Sequence, residues 1–191
     1  MRHAQYELNA ALDFILIQGD LVSTGGNHTH WTRDFFGQGA TLFRSVPFYA
    51  TPGNHEQNHP LYFQYVDVPD NGTPGYEEHW YWTDQGNCRV IGLDTNDGYR
   101  IEDQLTWLDT VLKSAAKAEH IDFVFAQFHH PHRSESWTPG ETSFSTKVVE
   151  KMVHFSRDTG KPSVHFFGHT HSYSRGQHRD HMHGMVNVAS G

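Results

Sequence analysis

Short apolar runs that end in polar turns recur along the chain, and this alternation constrains the fold more than any other feature. Continuous apolar runs are typical of strands that are buried on both faces. Between the later runs, apolar residues recur at helical spacing over 101–115 and 144–155, and the second pattern stops at Gly160 and Pro162. Alternation of strands and helices predicts an α/β layered fold. The predicted strands are 13–18, 46–50, 81–83, 88–93, 121–128, 163–167 and 185–189, and further helices are expected at 3–12 and 31–43.

Composition excludes several classes of protein. The formal net charge of −8 predicts no general affinity for nucleic acids. No apolar run approaches the roughly 20 residues that a membrane span needs, so no membrane association is predicted. The single cysteine, Cys88, excludes an internal disulfide and is expected to be a buried thiol beside its apolar run. Neither the oligomeric state nor the cellular location follows from these features.

Histidine is abundant, with 17 residues against 14 Lys plus Arg, and several histidines follow predicted strands. Four segments of this kind offer a carboxylate, an amide oxygen and imidazoles. Because ligand sites of α/β sheets lie outside the carboxyl ends of the strands, these segments are expected to converge. A mixed oxygen and nitrogen set suits Zn, Mn or Fe better than Ca or Mg. Any one segment is explained by ordinary turn chemistry, but all four together predict a metal site. The segments are Gly19-Asp20, Gly53-Asn54-His55-Glu56, His129-His130 and Gly168-His169-Thr170-His171.

These blocks, in this order, resemble the calcineurin-like metallophosphoesterase superfamily. The stretch Gly168-His169-Thr170-His171-Ser172-Tyr173-Ser174-Arg175 is also similar to the Gly-His-x-His-x-Tyr-x-Arg of the purple acid phosphatase branch. The resemblance implies a two-sheet β-sandwich flanked by helices, with four αββα layers. It also implies two divalent or trivalent metal ions, Fe, Zn or Mn.

The resemblance assigns a metal-binding role to five residues. Asp20 would bridge the two ions, Asn54, His129 and His169 would complete the second site, and His171 would bind at the first. His129 is preferred to His130 because the family ligand lies directly at the strand end, two residues before the proline.

The resemblance implies hydrolysis of a phosphomonoester or phosphodiester, with in-line attack by a metal-activated hydroxide at a binuclear centre. His55 would serve the leaving-group oxygen as general acid, and Glu56 would orient it. The expected partner is a phosphorylated small molecule or ester. Two alternatives stay open: a metal-binding but inactive fragment or scaffold, and a nucleotide or pyrophosphate hydrolase.

The chain departs from the family pattern at two positions. The block Asp-x-His, which family members carry on their first strand, is absent, and Glu77-Glu78-His79 is interpreted as surface. We therefore expect residues 1–191 to be a partial catalytic domain that lacks the first strand and some C-terminal residues. Ser23 stands where purple acid phosphatases have a tyrosine ligand, so the tyrosinate-to-iron chromophore is expected to be absent.

The remaining histidines and aromatic residues receive weaker predictions. His28 and His30 lie in a loop after Asp20 and, with Arg133, are candidate substrate contacts. A cluster near the end of the chain is interpreted as a surface hairpin or loop, and the tryptophans as core or rim packing. The cluster is His178, His181 and His183, and the tryptophans are Trp31, Trp80, Trp82, Trp107 and Trp137.

Overall fold

Two short parallel strands, β1 (Ile15–Ile17) and β2 (Phe48–Ala50), form the smaller of two sheets in the computed structural model, which describes residues 11–178 and 182–187. A π-helical segment, His30–Phe36, runs directly into helix α1 (Gly37–Phe43) and connects the two strands. The predicted helix 31–43 is therefore present. The prediction that β1 is buried on both faces is wrong, because its three residues are only half-buried in a sheet of two described strands.

The larger sheet has six strands in the order β3-β4-β5-β6-β8-β7. Its four central strands run parallel, and the two edge strands pair antiparallel with their neighbours. Parallel strands buried on both faces explain the continuous apolar runs of the sequence. The strands are β3 (Tyr81–Gln85), β4 (Cys88–Gly92), β5 (Phe123–Gln127), β6 (Ser163–Phe167), β7 (Ser174–Gln177) and β8 (His183–Asn187).

Two long helices, α3 (Glu102–Lys117) and α4 (Ser143–Thr159), cover one face of the six-stranded sheet. The hydroxyl of Thr142 caps α4 by accepting the amide hydrogen of Ser145, and Gly160 ends it at φ 73°. The short helix α2 (Pro60–Tyr65) and the π-helical segment bury aromatic rings against the small sheet instead.

The two sheets pack face to face through polar side chains. The hydroxyl of Tyr81 donates to the carbonyl of Ala50, and the amide of Gln127 donates to the carbonyl of Tyr49 at 3.1 Å. With helices outside both sheets, the molecule has four αββα layers, which confirms the predicted fold class. None of the described helices is both long and apolar enough to cross a membrane.

Several local predictions are corrected by the packing. His79 is half-buried and pairs with the buried carboxylate of Asp94 at 2.8 Å, so its assignment to the surface is wrong. His183 lies in β8 and is buried, whereas His178 is exposed, and His181 lies outside the described residues.

Two further predictions, for Cys88 and Trp107, are confirmed, and two predicted elements lie partly outside the described residues. Cys88 is a buried thiol, and burial raises its pKa to about 12. As predicted, Trp107 packs against the hydrophobic core between the six-stranded sheet and helices α3 and α4. Most of the predicted helix 3–12 lies outside the described residues, as do the last two positions of the predicted strand 185–189.

Candidate metal centre

Four turns, each following a different strand, meet at one end of the sandwich. Asp20 follows β1, Asn54 follows β2, His129 follows β5 and His169 follows β6. The turns approach so closely that side chains are excluded at Gly19, which has φ +81°. A Cβ atom there would lie 2.5 Å from the backbone nitrogen of Gly53 and 2.8 Å from Nδ1 of His129.

His129 is the centre of the cluster. Its Nδ1–H donates to the carbonyl oxygen of Gln18 at 2.6 Å, which leaves Nε2 to face the other residues of the cluster. That nitrogen lies 2.9 Å from Oδ1 of Asn54, 3.1 Å from Nδ1 of His169 and 3.2 Å from Oδ2 of Asp20. Oxygen and nitrogen atoms of four side chains therefore converge on one point.

This donor set fits a transition-metal ion. Ligand atoms of Asp20, His129 and His169 all lie within 4.8 Å of one another, the only such group among the described residues. A carboxylate, an amide oxygen and neutral imidazoles suit Zn, Mn or Fe. The bond from His129 to the carbonyl of Gln18 is the kind of outer contact that fixes the tautomer of a ligating histidine.

Burial and charge set the protonation of Asp20 and His169. Burial raises the pKa of Asp20, but the hydrogen bond and charge of His129 outweigh that effect and hold it below its ordinary value. Burial, with the neighbouring His129, lowers the pKa of His169 to about 4. At neutral pH the cluster therefore offers an ionised carboxylate and a neutral His169 ring.

The backbone is strained at three positions of the cluster. Asp20, His169 and His171 have φ values of 55°, 68° and 45°, in the left-handed region that residues other than glycine seldom occupy. Such conformations cost free energy and cluster at functional sites. The turns are therefore held by the surrounding structure in a shape that local preference opposes.

Glu56 organises the turns from beneath. Its carboxylate is completely buried and accepts the amide hydrogens of Gly53, Asp20 and Val22 at 2.7, 2.8 and 3.1 Å. The sequence predicted that Glu56 orients His55, but the bond that the structure shows for the His55 ring runs from Nδ1 to the carbonyl of Ser23, at 3.0 Å. Glu56 instead joins the turn after β1 to the turn after β2.

An open cavity of about 390 Å³ lies over the cluster. His55 and His171 both line it, so the structure brings these two predicted residues to the site. His171 does not belong to the group of ligand atoms that lie within 4.8 Å of one another. Its lining residues are Asp20, Asn54, His55, Trp137, His169, Thr170 and His171.

The three candidate substrate contacts are absent from the described lining of this cavity. His28 hydrogen-bonds to the hydroxyl of Tyr65, His30 to the amide of Asn27, and Arg133 is exposed in the loop after β5. All three residues lie in segments that follow strands, but the side chains of His28 and His30 are bonded outside the cavity lining.

His130 lies beside the cluster without joining it. Its Nδ1 is 3.1 Å from the hydroxyl of Thr95, and burial with the neighbouring charges of His129 and His169 lowers its pKa to about 2. The structure thus places His129 against Asp20 and His130 against Thr95.

Trp137 and Thr170 line the cavity and were not proposed from the sequence as site residues. Thr170 stands inside the Gly-His-x-His block, so the motif itself was a usable signal. For Trp137 the only signal is its place in the loop that follows the strand-end histidines.

A two-sheet sandwich with helices outside and an oxygen and imidazole cluster at its strand ends defines a metallophosphatase-type domain. The family model for calcineurin-like phosphoesterases matches residues 2–173. The chain therefore belongs to the calcineurin-like phosphoesterase family, which confirms the predicted superfamily.

Comparison with individual proteins supports the purple acid phosphatase-like branch. "Probable inactive purple acid phosphatase 27" of Arabidopsis thaliana is 22% identical over 180 residues, which cover 86% of this chain and 29% of the plant protein. A second Arabidopsis thaliana protein, "Probable inactive purple acid phosphatase 24", matches to the same extent. This chain thus spans less than a third of the length of these relatives.

Solved structures share the fold at low sequence identity. Purple acid phosphatase PPD1 from yellow lupin (Lupinus luteus) seeds has a TM-score of 0.66 and 16% identity, with 98% of this chain and 38% of that chain covered. A dimetal phosphatase from Danio rerio has the same TM-score and identity, with 98% and 74% covered. GAP50, described as the anchor in the inner membrane complex of Plasmodium, has a TM-score of 0.68 and 12% identity, with 99% and 64% covered.

Proposed function

We propose that this protein hydrolyses phosphate mono- or diesters with the help of bound metal ions. The observation that carries the proposal is the convergence of Asp20, Asn54 and His169 on Nε2 of His129, all within 3.2 Å. These oxygen and nitrogen atoms are metal ligands in proteins, so a cation bound at this point would be shared by all four side chains.

The ligands of one ion are already assembled in this proposal. Asp20, Asn54, His129 and His169 would hold it, and Fe, Zn or Mn would suit the set. When bound, such ions supply a water of lowered pKa and neutralise charge on phosphoryl oxygens. Asp20 lines the same cavity as His171, so these two residues would contribute to a second, less complete site.

His55 would serve the leaving group. Because its Nδ1 is engaged by the carbonyl of Ser23, Nε2 is the nitrogen left for a ligand in the cavity. A proton held at Nε2 would pass to the departing oxygen, or would hydrogen-bond to a phosphoryl oxygen as negative charge develops there. The backbone amide of His55 donates to Oδ1 of Asp20 at 3.1 Å, so the same turn positions acid and ligand.

A second candidate function is metal binding without catalysis. The position of His171 outside the group of closely spaced ligand atoms favours it, as does the word "inactive" in the names of both plant relatives. A chain with one complete site and one partial site would bind metal and still lack the second ion that binuclear catalysis needs.

The two candidates are separated by metal analysis combined with turnover. The chain is loaded with Zn²⁺ or Mn²⁺, dialysed, and assayed with p-nitrophenyl phosphate and bis(p-nitrophenyl) phosphate. The proposed hydrolase retains about one equivalent of tightly bound metal, as expected for one complete ligand set, and turns over at least one ester. Retained metal without turnover of either ester supports the scaffold, and absence of retained metal contradicts both.

Variants test the ligand assignment. His169→Ala and Asp20→Ala are expected to lose both the retained metal and the turnover. His154→Ala and Asp122→Ala change exposed residues of the same types and are expected to keep both. If His169→Ala retains as much metal as His154→Ala, the assignment is wrong.

A further inference from the structure

Trp137 is an exposed aromatic residue that lines the cavity. Its side chain is 46% exposed although it is a large apolar residue, and it lines the cavity together with His55 and His169. Its ring centroid lies 5.1 Å from that of His169, with 44° between the ring planes. An apolar surface is therefore held directly beside the proposed metal ligands.

Hydrogen bonds tie the loop that carries Trp137 to the turn that carries His169. The hydroxyl of Ser134 accepts the amide hydrogen of Trp137 at 3.1 Å and contacts the hydroxyl of Ser136, also at 3.1 Å. Ser136 in turn donates to the carbonyl of Thr170 at 3.3 Å. The backbone of the loop at Trp137 is thus linked to the turn at Thr170, the residue after His169.

Close packing beneath the indole supports the same conclusion. Gly140 lies against both rings: a Cβ atom there would be 2.8 Å from Cε3 of Trp137 and 2.9 Å from Cδ2 of His169. Trp137 thus packs against Gly140 and His169, while the exposed part of the residue lines the cavity. Exposing an aromatic surface to water without a partner is unfavourable, and a planar ring stacked on it would restore the lost contact.

We propose that Trp137 is a specificity-determining residue that stacks on the aromatic leaving group of a phosphate ester. The proposal rests on the proposed function, because it needs the phosphoryl group at the metal ligands. The phosphoryl group would then lie by Asp20 and His169, and the ring attached to the ester oxygen would extend over the indole. Aliphatic esters would gain nothing from this contact.

Binding of two phosphonates, which are not hydrolysed, tests the stacking directly. The dissociation constants of phenylphosphonate and methylphosphonate are measured by titration calorimetry on the Zn²⁺-loaded chain. The wild type is expected to favour phenylphosphonate, and Trp137→Leu is expected to weaken that ligand about 5-fold while leaving methylphosphonate unchanged, in line with the strength of aromatic stacking. Trp137→Phe, which keeps a ring, should retain most of the preference.

Phe123→Leu is the matched control. Phe123 is also an exposed aromatic residue, but it begins β5, at the end of the strand opposite to the cavity. The control is expected to bind both phosphonates as the wild type does. An equal loss for both ligands in Trp137→Leu would show a general disturbance of the site and would overturn the stacking proposal.

Turnover provides a second measurement that separates this inference from the proposed function. The ratio of kcat/KM for phenyl phosphate to that for ethyl phosphate is expected to fall about 5-fold in Trp137→Leu, as stacking strength predicts. Turnover of both esters with an unchanged ratio overturns the role of Trp137 alone. If the wild type binds neither phosphonate and turns over neither ester, the proposed function itself fails.

Discussion

Single residues beneath the ligands hold the candidate site in shape. Glu56 accepts hydrogen bonds from three backbone amides in two turns, and Gly19, which has no side chain, allows these turns to pack closely. Neither residue is proposed to bind metal. Each acts by keeping Asp20 and Asn54 at the distances from His129 that a shared ion requires.

Glu56→Ala is expected to destabilise the protein strongly, because three amide donors lose a charged acceptor in the interior. Hydrogen bonds to a buried charged group contribute about 1.5–3 kcal/mol each, so the free energy of unfolding should fall by at least about 3 kcal/mol. Urea unfolding followed by circular dichroism measures the change. Glu150→Ala, an exposed change on α4, should stay within about 0.5 kcal/mol of wild type. Equal effects of the two variants would show that the hydrogen bonds accepted by Glu56 do not contribute to stability.

Gly19→Ala tests whether the close approach of the two turns matters apart from backbone conformation. Gly98 has a similar φ of +90°, but a Cβ atom there meets nothing within 4 Å, so Gly98→Ala reports backbone strain alone. We expect Gly98→Ala to cost about 1 kcal/mol. Gly19→Ala should cost at least about 2 kcal/mol more, in the range of overpacking, and should also lose metal binding. An equal decrease in the free energy of unfolding for the two variants would show that the close approach of the turns at Gly19 does not contribute to stability.

At the scale of elements, strands β6 and β8 bury an imidazole pair behind α4. Nδ1 of His165 lies 2.8 Å from Nε2 of His183, whose Nδ1 lies 2.7 Å from the hydroxyl of Ser163. The His165 ring is completely buried and stacks on Phe128, and the titratable neighbours of the pair are His132 and His178. Burial, together with neighbouring imidazoles, holds the pKa of His165 well below its ordinary value and lowers that of His183 to about 3.

These strands are therefore expected to lose stability in acid. In the unfolded chain both histidines take up protons near pH 6.5, whereas in the folded protein they stay neutral until much lower pH, so the unfolded state binds more protons. Stability is fully present above pH 6.5 and falls as the pH decreases towards about 3. Between pH 7.5 and 5 each histidine should contribute a loss of about 2 kcal/mol.

Urea unfolding at the two pH values measures this loss. His165→Gln, which does not titrate, should reduce it by about 2 kcal/mol. His154→Gln, an exposed change on α4, should leave the pH dependence as in wild type. Identical pH dependence in both variants would contradict the assignment of acid sensitivity to the buried pair.

At the scale of the whole molecule, the candidate site lies across the boundary between the two sheets. Asp20 and Asn54 come from turns of the small sheet, whereas His129 and His169 come from turns of the large one. An ion bound by all four would join the two halves of the sandwich. Metal binding is thus expected to affect global stability as well as the local site.

Metal removal should lower the melting temperature of the whole domain. A ligand that binds only the folded state at about 100 times its Kd stabilises it by about 2.7 kcal/mol. Thermal unfolding with Zn²⁺ and after EDTA treatment should therefore differ by several degrees, as a single cooperative shift. His169→Ala should abolish the difference and His154→Ala should keep it. A shift that persists in His169→Ala would place the stabilising ion elsewhere.

Local patterns in the chain predicted much of this arrangement. The order of strands and helices follows from apolar periodicity, and the ligand-type residues stand directly after the strands, where the parallel topology brings them together. These features depend on neighbours in the sequence, so they can be predicted from the sequence alone. The Gly-His-x-His block even marked the turn that carries Thr170.

The contacts between distant segments could not be read in this way. His79 and His183 were assigned to the surface, but Asp94 and Ser163 approach them from other elements and allow their burial. Tertiary packing likewise decides which amide hydrogens Glu56 accepts and which cavity Trp137 lines, because both depend on the segments that meet across the sandwich. The sequence by itself determined which chemical groups stand at the strand ends, because periodicity is a local property. Only the tertiary structure decided what each group faces, because burial and hydrogen bonding depend on residues far away along the chain.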